Sequence, residues 1–65
     1  MHVIVNGERT DVAASTISAL LTEMEYEFSQ LAIAVNRKVV PKKRWAETAI
    51  NAGDTIEIIT PRQGG

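Results

Sequence analysis

The residues with the clearest chemical potential are the two glycines at the end of the sequence, Gly64 and Gly65. They follow a strand-like run at residues 55–60, so the terminal carboxylate sits on a segment without side chains. Such a segment can enter a narrow active site of another protein, where a residue with a Cβ would collide. The Gly65 carboxylate is therefore our candidate reacting group. A frayed terminus or a remnant of expression would give the same two residues.

The other side chains do not point to catalysis by the chain itself. The sequence has no cysteine and one histidine, His2, so the usual zinc ligand sets are missing. The serines have no nearby candidate base except that histidine, and the glycines form no phosphate-binding loop. Glu23, Glu25 and Glu27 are typical of solvated residues. We therefore expect a substrate or carrier that binds no metal or cofactor, rather than an enzyme.

Length and composition are typical of one small globular domain. At 65 residues, the chain is expected to bury about 60% of the surface that its unfolded form exposes. No apolar run approaches the roughly 18 residues needed to span a membrane, and no signal peptide is visible. We expect a soluble cytoplasmic protein with no membrane partner.

The charges are distributed unevenly, although the net charge is only −1. Five of the seven basic residues fall within residues 37–44: Arg37, Lys38, Lys42, Lys43 and Arg44. This polarity can orient a partner, although each charge alone is equally consistent with a solvated loop. Trp45 adjoins the cluster and could stack on a base, but it is more often a core or rim residue in so small a protein. Because the pI is about 5.7, we do not expect a nucleic acid partner.

Two β-hairpins are predicted. The first joins strands at residues 1–5 and 8–12 through Asn6-Gly7, whose residue types tolerate the positive φ of a type I′ turn. If Val3 and Val5 of the first strand point inward, Ile4 points outward.

The second hairpin joins strands at residues 31–35 and 38–40. The larger apolar residues of the first strand suit a buried face, which leaves Ala32 and Ala34 on the other face. Pro41 ends the second strand.

One amphipathic helix is predicted between the two hairpins. Ser15 is suited to be its N-cap, and we expect the helix to end near Glu25, where the apolar period changes to two and acidic residues disfavour a helix C-terminus. Its apolar stripe is typical of a core-facing helix: Ile17, Leu20, Leu21 and Met24.

Together these elements predict an α+β fold. A single helix stripe can cover one face of a mixed sheet of four to five strands, of which residues 55–60 form the last. Residues 42–48 are expected to form a loop or short helical turn, with Trp45 folded against the body. The domain is predicted to span residues 1–60, and residues 61–65 a flexible C-terminal tail.

Several short motifs occur along the whole chain in a specific order: Asn6-Gly7-Glu8, Leu20-Leu21, Ala34-Val35-Asn36, Val39-Val40-Pro41, Trp45, Gly53-Asp54 and Gly64-Gly65. This order and spacing resembles the ThiS family of sulfur carriers in thiamine biosynthesis. The resemblance implies a ubiquitin-like β-grasp fold. The chain departs from the family at Pro61-Arg62-Gln63, where a more apolar lead-in is expected.

The resemblance also implies a carrier cycle at Gly65. An E1-like adenylating enzyme would use Mg-ATP to convert the carboxylate, an anion and poor electrophile at neutral pH, into an acyl-adenylate. A sulfur donor of the cysteine desulfurase type would displace AMP to give a thiocarboxylate, and thiazole synthase would accept the sulfur. Gly64, Gln63 and Arg62 would form the tail, while the ATP site and the catalytic residues would belong to the partners.

A folded surface is expected to supply most of the affinity for these partners, because ordering each tail residue costs about 1–2 kcal/mol. The candidate surface is the outer face of the sheet, where Ile4, Ala32, Ala34 and Ile59 are predicted to form an apolar patch beside the tail.

Three other functions remain open from the sequence. The related small subunit of molybdopterin synthase shares the diglycine, although it is usually longer. A ubiquitin-like protein modifier would need the same free terminus and an adenylating enzyme. A β-grasp interaction module with an incidental diglycine could bind RNA through residues 37–45.

Overall fold

The computed structural model describes residues 1–27 and 30–60. In sequence order, this part of the chain forms two strands, one α-helix, two more strands, a short 3-10 helix and a last strand. The elements are β1 (His2–Val5), β2 (Glu8–Asp11), α1 (Ile17–Glu23), β3 (Ala32–Val35), β4 (Lys38–Val40), the 3-10 helix (Lys42–Arg44) and β5 (Thr55–Ile59). Each predicted strand boundary agrees with the structure to within one residue.

The five strands form a single mixed sheet with the order β2-β1-β5-β3-β4. β5 pairs in parallel with β1, whereas the other three pairings are antiparallel. The last strand in the sequence, β5, is therefore the central strand of the sheet, and β2 and β4 are the edge strands. This architecture, one helix on a mixed five-stranded sheet, confirms the predicted α+β fold.

The core lies between α1 and the inner face of the sheet. Period-two alternation along the strands and the i, i+3, i+4 spacing along the helix place the large aliphatic side chains there. Burying each of them contributes about 1.5–3 kcal/mol. The core residues that are at most 5% exposed include Val3, Val5, Ile17, Leu20, Leu21, Ile33, Ile56 and Ile58.

Trp45 belongs to this core. It is 2% exposed, and its indole Nε1 donates a hydrogen bond to the Val40 carbonyl at 2.8 Å. The predicted folding of Trp45 against the body is therefore confirmed. Its ring is not available to stack on a base, which removes the stacking surface of the RNA-binding alternative.

The helix N-cap differs from the prediction. Thr16, not Ser15, caps the helix: its backbone is extended, with φ of −131°, and its hydroxyl accepts a hydrogen bond from the Ala19 amide at 3.2 Å. Thr16 takes this conformation because it forms a β-bridge with Ala49, while the Ser15 carbonyl accepts from the Ile50 amide at 3.0 Å.

The helix also ends earlier than Glu25. Its last residue is Glu23, Met24 is the C-cap, and Glu25 has a φ of +63° that cannot continue a helix. The Glu23 carboxylate accepts hydrogen bonds from the Ala13 and Ala14 amides, the shortest at 2.9 Å. The acidic residue at the end of the helix thus has a specific role, because it holds the segment that leads into α1.

Candidate functional site

The described element that comes before the C-terminal diglycine in the sequence is β5. Four residue pairs join it to β3, and β1 pairs with its first half. The predicted tail residues Arg62, Gln63, Gly64 and Gly65 lie outside the described residues. The structure does show where β5, the strand that precedes them in the sequence, lies and which hydrogen bonds hold it.

Asn6 extends the support of β5 beyond the end of β1. The strand β1 stops at Val5, opposite Ile56, and the Asn6 amide donates to the Ile56 carbonyl at 2.9 Å. The Asn6 side-chain Oδ1 then accepts a hydrogen bond from the Ile58 amide at 2.8 Å. The Asn6 side chain therefore accepts the hydrogen bond that a carbonyl of β1 would accept from the Ile58 amide if β1 continued. From the sequence, Asn6 was predicted only to form a turn.

Asn36 holds the other end of β5. Its amide donates to the Thr55 carbonyl at 2.7 Å, and its Oδ1 accepts from the Thr55 amide at 3.0 Å. Its Nδ2 also donates to Asp54 at 3.0 Å. Asn6 and Asn36 have similar backbone conformations, with φ of 51° and 52°, which asparagine tolerates better than most residues. The two hairpin turns thus fix the start and the later half of the strand that leads to the tail.

The predicted partner-binding residues do not form one patch. Ala32 lies opposite Ile59 at the end of β5, and Ile59 is 57% exposed. Ile4 lies on the same outer face but opposite Thr55, at the start of β5. Thr55 and Ile59 are four positions apart on an extended strand, a distance of about 13 Å. The predicted proximity of Ile4 to Ile59 was therefore wrong, because alternation gives the face of a residue but not its strand register.

Ala34 also differs from the prediction, since it faces outward but is only 9% exposed. It lies between Glu57 of β5 and Val39 of β4. Val39, which was not predicted as a site residue, is 77% exposed and is the most exposed large hydrophobic side chain in the described residues. The alternation of β4 contained this signal, because only one of Val39 and Val40 can face the core.

We call the surface formed by Ala32, Ala34, Val39 and Ile59 the outer patch. The cross-strand pair Ala32–Ile59 lies where β5 stops, and the pair Ala34–Val39 lies two residues further back, level with Glu57. Three of the four residues are exposed and Ala34 joins them, and a group of exposed apolar residues on one face is typical of a protein interface. Its place next to the end of β5 makes it the candidate docking surface for a partner that binds the tail.

Other features of the described residues give no second site. A shallow cleft of about 240 Å³ lies at the start of β1 and is lined by His2, Val3, Ile4, Arg9 and Gly53. Within residues 1–27 and 30–60, no group of three or more histidine or acidic side chains is placed to hold a metal ion. No helix in that part of the chain has the length and apolarity to cross a membrane.

Comparison with known sequences decides the family. The sequence profile of the ThiS family matches residues 3–65, which is nearly the whole chain. This chain belongs to the ThiS family. The predicted resemblance is thereby confirmed, and with it the predicted function class: a sulfur carrier of thiamine biosynthesis, not a catalyst.

Two curated proteins illustrate the relationship. The chain is 29% identical over 66 residues to the sulfur carrier protein ThiS of Escherichia coli, and the alignment covers all of both chains. It is 38% identical over 66 residues to a thiazole synthase of Paramagnetospirillum magneticum. That alignment covers all of this chain but only 20% of the thiazole synthase.

Solved structures confirm the fold. The crystal structure of the thiamine biosynthesis protein ThiS from Geobacter metallireducens superposes with a TM-score of 0.85 at 22% identity, and the match covers all of both chains. The solution NMR structure of a thiamine biosynthesis protein from the same organism gives a TM-score of 0.82 at 22% identity and is covered to 88%. At this identity the likeness concerns the β-grasp fold.

Proposed function

We propose that this ThiS-family chain carries sulfur on Gly65 as a C-terminal thiocarboxylate. The observation that supports the proposal is that the family match includes the diglycine, since it extends to residue 65. A carboxylate is an anion at neutral pH and a poor electrophile, so it must first be activated. Adenylation with Mg-ATP releases pyrophosphate and gives an acyl-adenylate, from which a sulfur nucleophile displaces AMP.

Three partners follow from this chemistry: an E1-like adenylating enzyme that binds the Mg-ATP, a sulfur donor of the cysteine desulfurase type, and thiazole synthase as the acceptor. The thiazole synthase of P. magneticum supports the last of these, because a fifth of that protein resembles this chain. A carrier-like segment within a thiazole synthase fits a carrier that delivers sulfur to the same enzyme. We place this cycle in the cytoplasm.

The outer patch is the proposed docking surface for these enzymes. An extended tail of residues 61–65 reaches at most about 17 Å, so an enzyme that acts on Gly65 must approach the end of β5. Ordering the tail costs about 1–2 kcal/mol of backbone entropy per residue, and the enzyme must recover this cost from contacts with the folded domain. Val39 and Ile59 are the large exposed apolar side chains nearest to that approach.

The experiment that tests the proposal is the intact mass of the chain after incubation with an E1-like adenylating enzyme, Mg-ATP and sulfide. We expect a gain equal to the replacement of one oxygen by sulfur. The gain should disappear when Gly65 is deleted. It should persist in Gln63→Ala, a matched change in the tail that leaves the diglycine intact.

Two results would contradict the proposal: a sulfur gain in the Gly65 deletion, or no gain in the full chain with an enzyme that is active on its own carrier. Conjugates to lysine in a cell extract would favour a protein modifier instead. Transfer of the sulfur to a molybdopterin precursor, but not to thiazole, would favour the molybdopterin pathway.

A further inference from the structure

The basic cluster of the sequence lies on a largely exposed segment in the structure. Its five cationic side chains, Arg37, Lys38, Lys42, Lys43 and Arg44, are all exposed. Among the described residues, the only ion pair joins the Met1 amino group to Asp11, so these cations are not neutralised within residues 1–27 and 30–60. The segment includes β4, which is an edge strand of the sheet, and the 3-10 helix that follows it.

The strand register places part of this segment beside the end of β5. Both β4 and β5 are antiparallel to β3, so they run in the same direction. Val40 and Ile58 both pair with Ile33, which puts Pro41 level with Ile59. The two strands are two sheet spacings apart, about 10 Å. The 3-10 helix, Lys42–Arg44, therefore begins at the end of the sheet where β5 stops.

Three cations therefore follow directly after the strand position that is level with Ile59. Val39, 77% exposed, lies on β4 two residues before Pro41, opposite Ala34 of the outer patch. Two acidic residues have a known position relative to this segment: Glu47, whose amide donates to the Arg44 carbonyl, and Glu57 on the outer face of β5. We call the exposed residues Val39, Lys42, Lys43 and Arg44 the basic surface, because its three charged side chains are all positive.

We propose that the basic surface docks an acidic surface of the enzyme that adenylates Gly65. This inference rests on the proposed function, because it assigns a second contact to the enzyme that binds the tail. An enzyme that holds the tail and covers Ile59 also reaches the 3-10 helix about 10 Å away. Opposite charges at the rim of an interface accelerate association and set the orientation of the partners. The tail and the basic surface then fix the orientation of the carrier together.

A protein fits this surface better than a nucleic acid does. A phosphate backbone would satisfy the three cations but would leave Val39 without an apolar partner. The buried Trp45 provides no stacking surface beside them. The net charge of −1 also gives the whole chain no attraction to a polyanion.

The test compares two double charge reversals in the adenylation reaction. Lys42→Glu with Lys43→Glu changes the basic surface. Arg9→Glu with Lys38→Glu changes the net charge equally, but at exposed positions away from the end of β5. Both variants are first checked for an unchanged thermal unfolding transition. The kcat/KM for thiocarboxylate formation is then measured for both variants and the unmodified chain, in low and in high salt.

At low ionic strength, we expect the first variant to lose about tenfold in kcat/KM, mainly through KM, because its rim charges slow association. In high salt the loss should shrink to about twofold, since the Debye length falls to about 3 Å at 1 M. The control variant should stay within about twofold of the unmodified chain, because its charges lie away from the docked surface.

Equal losses in both variants, or no loss in either, would overturn the proposal. The proposal would also be overturned if the unmodified chain bound a labelled single-stranded RNA and the Lys42→Glu, Lys43→Glu variant did not. If the unmodified chain itself gains no sulfur, it is the proposed function that fails. If it gains sulfur and the two variants do not differ, only the basic surface is refuted.

Discussion

Asn6 should contribute measurably to stability through its side chain, in addition to forming a turn. The perturbation that isolates this contribution is Asn6→Gly compared with Asn6→Asp. Both replacements tolerate the φ of 51° at this position. Aspartate keeps an oxygen that can accept from the Ile58 amide, now 2.8 Å from Asn6 Oδ1, whereas glycine removes it. The comparison therefore separates the hydrogen bond from the turn conformation.

The structure sets the expected magnitude. The bond is partly buried, so its loss leaves the Ile58 amide poorly solvated and costs about 1–2 kcal/mol. Glycine at a positive φ relieves local strain but makes the unfolded chain more flexible, and these two effects roughly offset. For a domain of this size, such a loss lowers the midpoint of thermal unfolding by about 5–15 °C. Asn6→Asp should stay within about 0.5 kcal/mol of the unmodified chain.

The assay is thermal and urea unfolding followed by circular dichroism. Asn36→Gly is the matched control, because Asn36 has the same φ region and also accepts from a β5 amide, but its bonds are exposed. Water can replace exposed partners, so this control should lose only about 0.5–1 kcal/mol. The reasoning would be refuted if Asn6→Gly were as stable as the unmodified chain, or if Asn6→Asp were as unstable as Asn6→Gly.

Three other substitutions test the remaining assignments. Thr16→Ala should cost about 1 kcal/mol in urea unfolding because it removes the helix cap, while Ser15→Ala should stay within about 0.5 kcal/mol; the reverse order would show that the cap is assigned wrongly. Trp45→Ala should cost about 3–5 kcal/mol, much of the total stability of so small a domain, and a circular dichroism melt as cooperative and as high as that of the unmodified chain would contradict its burial. Ile59→Asp should leave the unfolding transition nearly unchanged but raise the KM for adenylation. Thr55→Asp, on the same face at the other end of β5, should leave that KM unchanged. Equal KM values for the two variants would exclude the outer patch as the docking surface.

The elements of this fold could be predicted from local signals. Asn6-Gly7 has the residue types that a tight hairpin turn requires, and the alternation of Val3 and Val5 has the period of a strand. These signals depend on neighbours along the chain, so they gave strand boundaries correct to one residue. The helix cap was wrong by one residue because Ser15 and Thr16 are both good caps, and a β-bridge to Ala49 decides between them.

The assembly of the site could not be read from local signals. Whether Ile4 lies beside Ile59 depends on the register of β1 against β5, and their alternation is the same in any register. The second role of Asn6 is equally hidden, because its partner Ile58 is 52 residues away. Resemblance to a family gave the proposed role of Gly65, whereas contacts between distant residues determine which surface lies beside the end of β5.

The register of β5 connects the stability of the domain to the presentation of the tail. Ile56 and Ile58 are buried on its inner face, whereas Thr55, Glu57 and Ile59 are exposed on the outer one. Because side chains alternate, a slip of one residue would bury Glu57, expose both buried isoleucines and displace the start of the tail by about 3.3 Å. The side chains of Asn6 and Asn36 oppose this slip, since each accepts from a specific β5 amide. A substitution that weakens either bond should therefore affect the stability of the sheet and the position from which the tail extends together.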